Sequence, residues 1–498
     1  MKHLTELKSW CALKEYAQKI SARSFSDLQR SSVRDKNLYI TIPELTIDFT
    51  HQQVDDTTLE LLFNLANEKK LSDKIKSLFS GEIVNQSEQR PALHTALRQP
   101  NNQPILVSGY NVMLDIIDTR EEMRILSEQI RQGQWLGYTD RVVTDIVNVG
   151  IGGSDLGPRF CINAFKDWTL KKLKYHFIPD VDPYSTKQVL EKINPETTLF
   201  IISSKSFKTP ETLHTLTKIK AWGGYKDFDE RHFIAVTANS ANAKDMGFKK
   251  ILRLWDWVGG RFSICSAINF ITVIAVGYEY FIEFLAGAHT IDKHFYNNDF
   301  SNNLPVLLGL IGIWNNNFLN INTHLILAYA RQLEYFIPYI QQLDMESNGK
   351  SVDNDGKRVD YSTGPIVWGG LGNQAQHSYF QLLCQGTHRV TGDFLSLESS
   401  QNEMINYFCQ AKINVLTHGI KDKHNLNNDI PGNMPLNHIR LTSFTPFNIG
   451  QLIALYEHKI YTQSVIWDIN PFDQPGVESA KRQYNNKSAK SPISTSSN

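Results

Sequence analysis

Between Asp145 and Val236 the chain repeats one device that few folds accommodate. Short β-branched runs alternate there with helical stretches: Asp145-Ile-Val-Asn-Val-Gly150, Tyr175-His-Phe-Ile178, Thr198-Leu-Phe-Ile-Ile202 and His232-Phe-Ile-Ala-Val236. Turn residues bound each run. About 20–35 residues separate one run from the next, too many for a hairpin and enough for a helical crossover. The pattern predicts βαβ units, and so an α/β fold whose mainly parallel sheet carries helices on its faces.

The rest of the chain is organised around that unit. At 498 residues it exceeds what one core organises. Residues 1–109 read as an N-terminal helical segment packing on something larger, because Leu59, Leu61, Leu62, Leu65, Ile75, Leu78 and Phe79 recur at helical spacing. The first α/β domain is expected over 110–275 and a second over 276–470. In the second, helical stretches run from Ser266 to Tyr339 and Ile366-Val-Trp368 is a strand entering a loop. A helical arm over 471–484 and a disordered tail over 485–498, rich in Ser, Asn and Lys, complete the chain.

Charge and cysteine usage exclude several function classes. Lys+Arg and Asp+Glu both total 51, so no global field recruits nucleic acid or an anionic membrane, and any anionic ligand must meet local donors. The five cysteines stand singly, without CxxC pairs or zinc spacing, which reads as free thiols in a reducing cytoplasm. The N-terminus lacks an apolar signal core, and Phe270–Val276 and Leu304–Trp314 are shorter than the ~20 residues a membrane span needs, so they read as buried helix.

Six segments can carry chemistry. Asn148-Val-Gly-Ile-Gly-Gly-Ser-Asp-Leu-Gly-Pro158 follows a strand and precedes a helix, a place where free N–H groups favour an anion. It is either that or a tight turn alone, and its spacing is not the GxGxxG of a dinucleotide site. Ile202-Ser-Ser-Lys-Ser-Phe-Lys-Thr-Pro-Glu-Thr212 sets hydroxyls around Lys205 at the end of the next strand, where they cap a helix or hold a phosphate. Trp255-Asp-Trp-Val-Gly-Gly-Arg-Phe-Ser263 places Arg261 after a paired glycine, against a ligand or on the surface. Glu346, in Gln341-Gln-Leu-Asp-Met-Glu-Ser-Asn-Gly-Lys350, is a solvated charge or a partly desolvated general base. His377, in Gly372-Asn-Gln-Ala-Gln-His-Ser378, and Lys481, in Phe472-Asp-Gln-Pro-Gly-Val-Glu-Ser-Ala-Lys481, are each ordinary in isolation; the latter's helix is expected to start near Val477.

Together and in this order, with Leu93-His-Thr-Ala-Leu-Arg98 before them, these segments resemble the glucose-6-phosphate isomerase family from about residue 90 to Lys481. The resemblance implies two sugar-isomerase (SIS-type) αβα sandwich domains and a homodimer with active sites at the subunit interface. It implies interconversion of glucose 6-phosphate and fructose 6-phosphate, in glycolysis and gluconeogenesis, through ring opening and a cis-enediol, with no cofactor and no metal. By resemblance Glu346 moves the proton between C2 and C1, and His377, from the partner subunit, opens the ring. Glu211 orients that histidine, Lys481 assists near the ring oxygen, and Arg261 steadies the enediolate. Gly153 and Ser154 contact the sugar, Ser204, Lys205, Ser206 and Thr209 cradle the phosphate, and Gln342 and Gln474 hold the substrate. The sequence departs from the family pattern at Phe177-Ile-Pro-Asp-Val-Asp-Pro183, at Lys208 in the cradle, at Ala375 beside the histidine and at Cys384.

Overall fold

A computed structural model describes residues 3–20, 23, 25–28, 32–100 and 103–488 of the chain. Its strands are β1 (Tyr39–Ile42), β2 (Leu45–Asp48), β3 (Leu106–Val107), β4 (Tyr110–Asn111), β5 (Asp145–Val149), β6 (Lys174–Ile178), β7 (Thr198–Ser203), β8 (Phe233–Thr237), β9 (Lys250–Arg253), β10 (Thr323–Ala328), β11 (Ile366–Leu371), β12 (Thr391–Leu397) and β13 (Leu436–Leu441).

Five of these form a parallel sheet in the order β6-β5-β7-β8-β9. Burial explains the order. Every residue of β5, β7 and β8 is buried, as strands covered on both faces must be, whereas β6 and β9 at the edges carry lysines and an arginine. The chain leaves β5 for β6 on one side, then returns to β7 on the other, with Val149 level with both Ile178 and Ile202. The order of strands therefore reverses between β5 and β7, and a crevice opens at their carboxyl ends.

A second sheet, ordered β1-β2-β13-β12-β10-β11, repeats the move around β10. Here β2 and β1 add on antiparallel, so the N-terminal segment is not helical throughout: Tyr39–Ile42 and Leu45–Asp48 extend this sheet beyond β13. A second difference lies within 266–339, where Thr323–Ala328 is a strand rather than part of a helical run. Its apolar run is short and buried, and periodicity alone does not separate such a strand from buried helix. The C-terminal helix begins at Pro475, where proline suits the first helical position, and continues to Ser488. It therefore takes in Asn485–Ser488 of the expected tail, and the rest of that tail lies outside the described residues.

The helix Pro446–Trp467 is buried along almost its whole length and packed on Tyr278–Asn297 and Leu304–Ile313. Its polar residues, Glu457, His458 and Lys459 among them, are buried with the rest and need partners inside the protein. Close crossing requires glycine: a Cβ on Gly287 would lie 1.8 Å from the Phe447 carbonyl oxygen, and one on Gly450 2.0 Å from that of Phe284. Phe270–Val276 and Leu304–Ile313 are buried helices, as their apolar sequences predict. Among the described residues no helix is long and apolar enough to cross a membrane.

One cluster of charge is sealed in this core. Arg98 donates to Asp292 through Nε at 2.7 Å and Nη2 at 2.6 Å, and to Glu457 through Nη1, while His458 Nε2 lies 2.7 Å from the same aspartate. The Arg98 guanidinium has no exposed surface.

Candidate active site

The loops that leave β5 and β7 are knitted together by Asn148. Its Nδ2 donates to the Ser154 carbonyl at 2.9 Å, and its Oδ1 accepts from Ser203 Oγ at 3.2 Å. The turn Gly152–Ser154 is thereby held over the β5–β7 crevice. Two glycines in it are required. Gly152 sits at φ +58°, and a Cβ there would lie 2.9 Å from Gln342 Nε2; a Cβ on Gly153 would lie 2.1 Å from the Gly260 carbonyl oxygen. The first glycine loop thus touches both the Gly259-Gly260-Arg261 turn and the helix Phe336–Asn348.

In the hydroxyl loop Ser204 is buried with its Oγ 3.1 Å from Thr209 Oγ1, and Ser206 Oγ accepts from the Lys208 backbone N–H at 3.3 Å. Thr209 precedes the helix Pro210–Gly223, whose first turn carries Glu211. One carboxylate oxygen of Glu211 is buried without a hydrogen-bond partner. Lys205 Nζ donates to the Asp256 carbonyl at 2.8 Å, the same oxygen that Arg90 reaches at 3.1 Å. Burial, and next the Arg90 charge, lower the Lys205 pKa. A half-buried ammonium bonded to a neutral carbonyl retains a charge for an anion.

Glu346 occupies the last turns of the helix Phe336–Asn348, one turn beyond Gln342, whose Nε2 donates to Glu346 Oε2 at 2.9 Å. Arg261 Nη1 lies 3.6 Å from the same oxygen. The rest of the buried guanidinium is spent on neutral acceptors: Ser347 Oγ at 2.6 Å, Gln474 Oε1 at 3.1 Å, the Asp473 carbonyl at 2.9 Å and the Pro471 carbonyl. Burial lowers the Arg261 pKa, and Glu346 and Asp473 oppose that without overcoming it. Gln342, Glu346, Lys350, Asp473 and Gln474 face a common cleft of about 1220 Å³. Among the described residues no cluster of three His, Cys, Asp or Glu side chains is arranged to hold a metal ion.

The fold therefore brings Gly153, Arg261, Gln342, Glu346 and Gln474 together, with Ser154 on the same turn as Gly153 and Ser204, Lys205, Ser206 and Thr209 on the loop that leaves β7. It does not bring His377 to them within one chain. His377 is exposed beyond β11, and among the described residues its ring bonds neither Glu211 nor Glu346. Lys481 falls within the helix Pro475–Ser488, and its side chain lies outside the described residues.

Sequence reasoning missed Lys350, Asp473 and Asn148. Each stands inside a segment already singled out, but their value lies in contacts to distant carbonyls that no local pattern signals. The departures at 375 and 208 have local explanations: Ala375 is buried in the cluster around Tyr329 and Phe394, and Lys208 points its exposed side chain outward. Cys384 is half-buried, and burial raises its thiol pKa.

A profile of the family described as Phosphoglucose isomerase matches residues 48–496. The chain is 56% identical over 489 residues to a glucose-6-phosphate isomerase of Legionella pneumophila (strain Lens), covering 97% of both chains. It is 41% identical over 512 residues to a Campylobacter jejuni subsp. doylei glucose-6-phosphate isomerase, covering 97% of this chain and 94% of that one. The crystal structure of a glucose-6-phosphate isomerase from Chlamydia trachomatis superposes with a TM-score of 0.90 at 31% identity, over 99% of this chain and 98% of that one.

Proposed function

This chain belongs to the phosphoglucose isomerase family, and on that premise we propose how its residues perform the reaction. It is an aldose–ketose isomerase that interconverts glucose 6-phosphate and fructose 6-phosphate, a step of glycolysis and gluconeogenesis.

Glu346 is the base that carries a proton between C2 and C1 of the open-chain sugar. One observation carries this reading: its carboxylate is oriented by Gln342 at 2.9 Å and faces a buried, neutrally solvated Arg261 at 3.6 Å, at the edge of a cleft able to hold a sugar phosphate. Removing a proton beside a carbonyl places negative charge on oxygen, and a fixed cation in a low-dielectric site stabilises that enediolate. One carboxylate serves both carbons because the planar cis-enediol presents them on one face. The hydroxyls of Ser204, Ser206 and Thr209 and the Lys205 ammonium hold the phosphate. Gly153, Ser154, Gln342 and Gln474 hold the sugar, and Lys481 assists at the ring oxygen.

Ring opening falls to His377, oriented by Glu211, and it comes from a second copy of the chain. Two features support a homodimer with shared sites. His377 is exposed and far from complete as a catalytic group in the single chain. The helix Glu403–His418 supports its loop through Lys412 Nζ, which donates to the Gly372 carbonyl at 3.1 Å, and that helix exposes Met404, Tyr407 and Phe408 at successive-turn spacing.

The reading is tested by Glu346→Gln. Isomerase kcat should fall ~10³-fold or more while fructose 6-phosphate still binds within ~5-fold of the parent; a parent-like rate refutes the assigned base. Mixing Glu346→Gln with His377→Ala subunits should restore activity in hybrid dimers, and no rescue after proven exchange refutes the shared site.

A further inference from the structure

The ammonium of Lys350 has no role in the chemistry above, yet few side chains in this structure are so fully engaged. Nζ donates to the Glu346 carbonyl at 3.2 Å and the Ser347 carbonyl at 2.9 Å, both in the last turn of the helix that carries the base. It also donates to the Asn470 carbonyl at 2.8 Å and the Asp473 carbonyl at 3.0 Å, and it pairs with the Asp473 carboxylate at 3.2 Å. Those carbonyls belong to the irregular stretch that delivers Gln474 and leads directly into the helix bearing Lys481. One cation thus bonds the orphan carbonyls of a helix end and, at the same atom, a separate segment more than a hundred residues away.

Arg261 grips the same stretch, through the Pro471 and Asp473 carbonyls and Gln474 Oε1. Asp473 Oδ2 in turn accepts from Asn470 Nδ2 at 3.1 Å and from Ser87 Oγ, closing the stretch on itself. Residues 470–474 have no regular secondary structure; Phe472 anchors them in the core beside Phe262 and Tyr461, Asn470 bonds Asn85, and the two cations tie them to the Glu346 helix and the glycine turn.

We propose that Lys350, with Asp473, is a positioning residue of the isomerase: it clamps the end of the Glu346 helix to residues 470–474, and so fixes the base relative to the groups delivered by the C-terminal helix. This rests on the assignment of Glu346 as the base. The clamp acts on geometry alone, and Lys350 exchanges no proton with substrate. A displacement of about 1 Å between a base and its substrate-holding groups costs up to ~10²-fold in rate, whereas binding through the distant phosphate loop changes little.

The clamp also has a pH signature. Burial, and next the Arg261 charge, bring the Lys350 pKa down to about 8, while Asp473 and Glu346 push it back up. These are the charged groups that face it: Arg261 from the glycine turn, Asp473 from the C-terminal stretch and Glu346 from its own helix. The charged form makes the full set of bonds, so the clamp is intact below pH about 8 and loosens as pH rises through that value.

Kinetics of the full-length enzyme test this. Lys350→Met keeps the aliphatic stem and removes the donors; kcat should fall ~30–100-fold with KM changed less than ~3-fold. Lys350→Arg should recover most of the rate and move the alkaline limb of kcat to higher pH, because guanidinium does not titrate there. Asp473→Asn, which preserves shape, should lower kcat ~3–10-fold, and it carries the test if Lys350→Met does not fold. Parent-like kcat in the folded variants beside an inactive Glu346→Gln overturns the clamp and leaves the base in place. An alkaline limb unmoved in Lys350→Arg also overturns it. An active Glu346→Gln overturns the reading beneath both.

Discussion

Two arginines are buried among the described residues, Arg98 in the core and Arg261 in the site, and they are solvated in opposite ways. Arg98 is closed off by two carboxylates, Asp292 through two bonds and Glu457 through one. Burial alone would lower its pKa, but Asp292 and then Glu457 outweigh burial and hold it well above the ordinary arginine value. Arg261 is as deeply buried but bonds to a hydroxyl, an amide and two carbonyls, with its nearest carboxylate at 3.6 Å. Burial therefore leaves its pKa lowered. A cation surrounded by neutral dipoles is held in place without being neutralised. That difference separates a structural arginine from one able to stabilise charge that develops during reaction.

The contrast can be broken most sharply at Arg98. Arg98→Met leaves Glu457 buried and unpaired and Asp292 with only its histidine neighbours, which should cost about 3–5 kcal/mol in urea unfolding while the folded fraction keeps kcat within ~3-fold. A large loss of kcat in stable protein would mean that the two arginines do not differ in kind. Arg261→Lys keeps a charge but loses the planar fork. We expect kcat to fall ~10²-fold with a smaller change in stability, and a parent-like kcat would remove Arg261 from the chemistry. Lys205→Met should raise KM ~10-fold with less effect on kcat, since it removes a charge from the phosphate loop and not from the reacting carbons. Smallest of all, Lys208→Thr should alter kcat/KM less than ~3-fold, because the side chain is exposed and its contribution is screened.

Much of this contrast lies beyond sequence reading, for a physical reason. Leu-Arg98 and Gly-Arg261 are each one arginine in a local pattern, and what distinguishes them is a set of acceptors on segments far away in the chain. The parallel sheet was readable because buried strands must be continuous apolar runs: Asp145 and Thr198 begin strands where those runs begin. The loops at the β5–β7 crevice were readable because glycine and short hydroxyls at strand ends have few other uses. The strand Thr323–Ala328 was not, since a short buried apolar run fits either helix or strand. Nor were Tyr39–Ile42 and Leu45–Asp48, a hairpin whose second strand docks antiparallel on an edge offered by β13 almost four hundred residues later. Lys350 was hidden in the same way as Arg98, its partners being backbone carbonyls with no sequence signature.

The most direct measurement is exchange of the C1 proton of fructose 6-phosphate with solvent deuterium, followed by NMR on parent enzyme and on Glu346→Gln. The account predicts deuterium entering at C1 in the parent as the two sugar phosphates equilibrate, and none in Glu346→Gln although that variant still binds the substrate. Deuterium entering at the parent's rate in Glu346→Gln would show that another group moves the proton, and would contradict the pairing of base and uncompensated arginine on which the account depends.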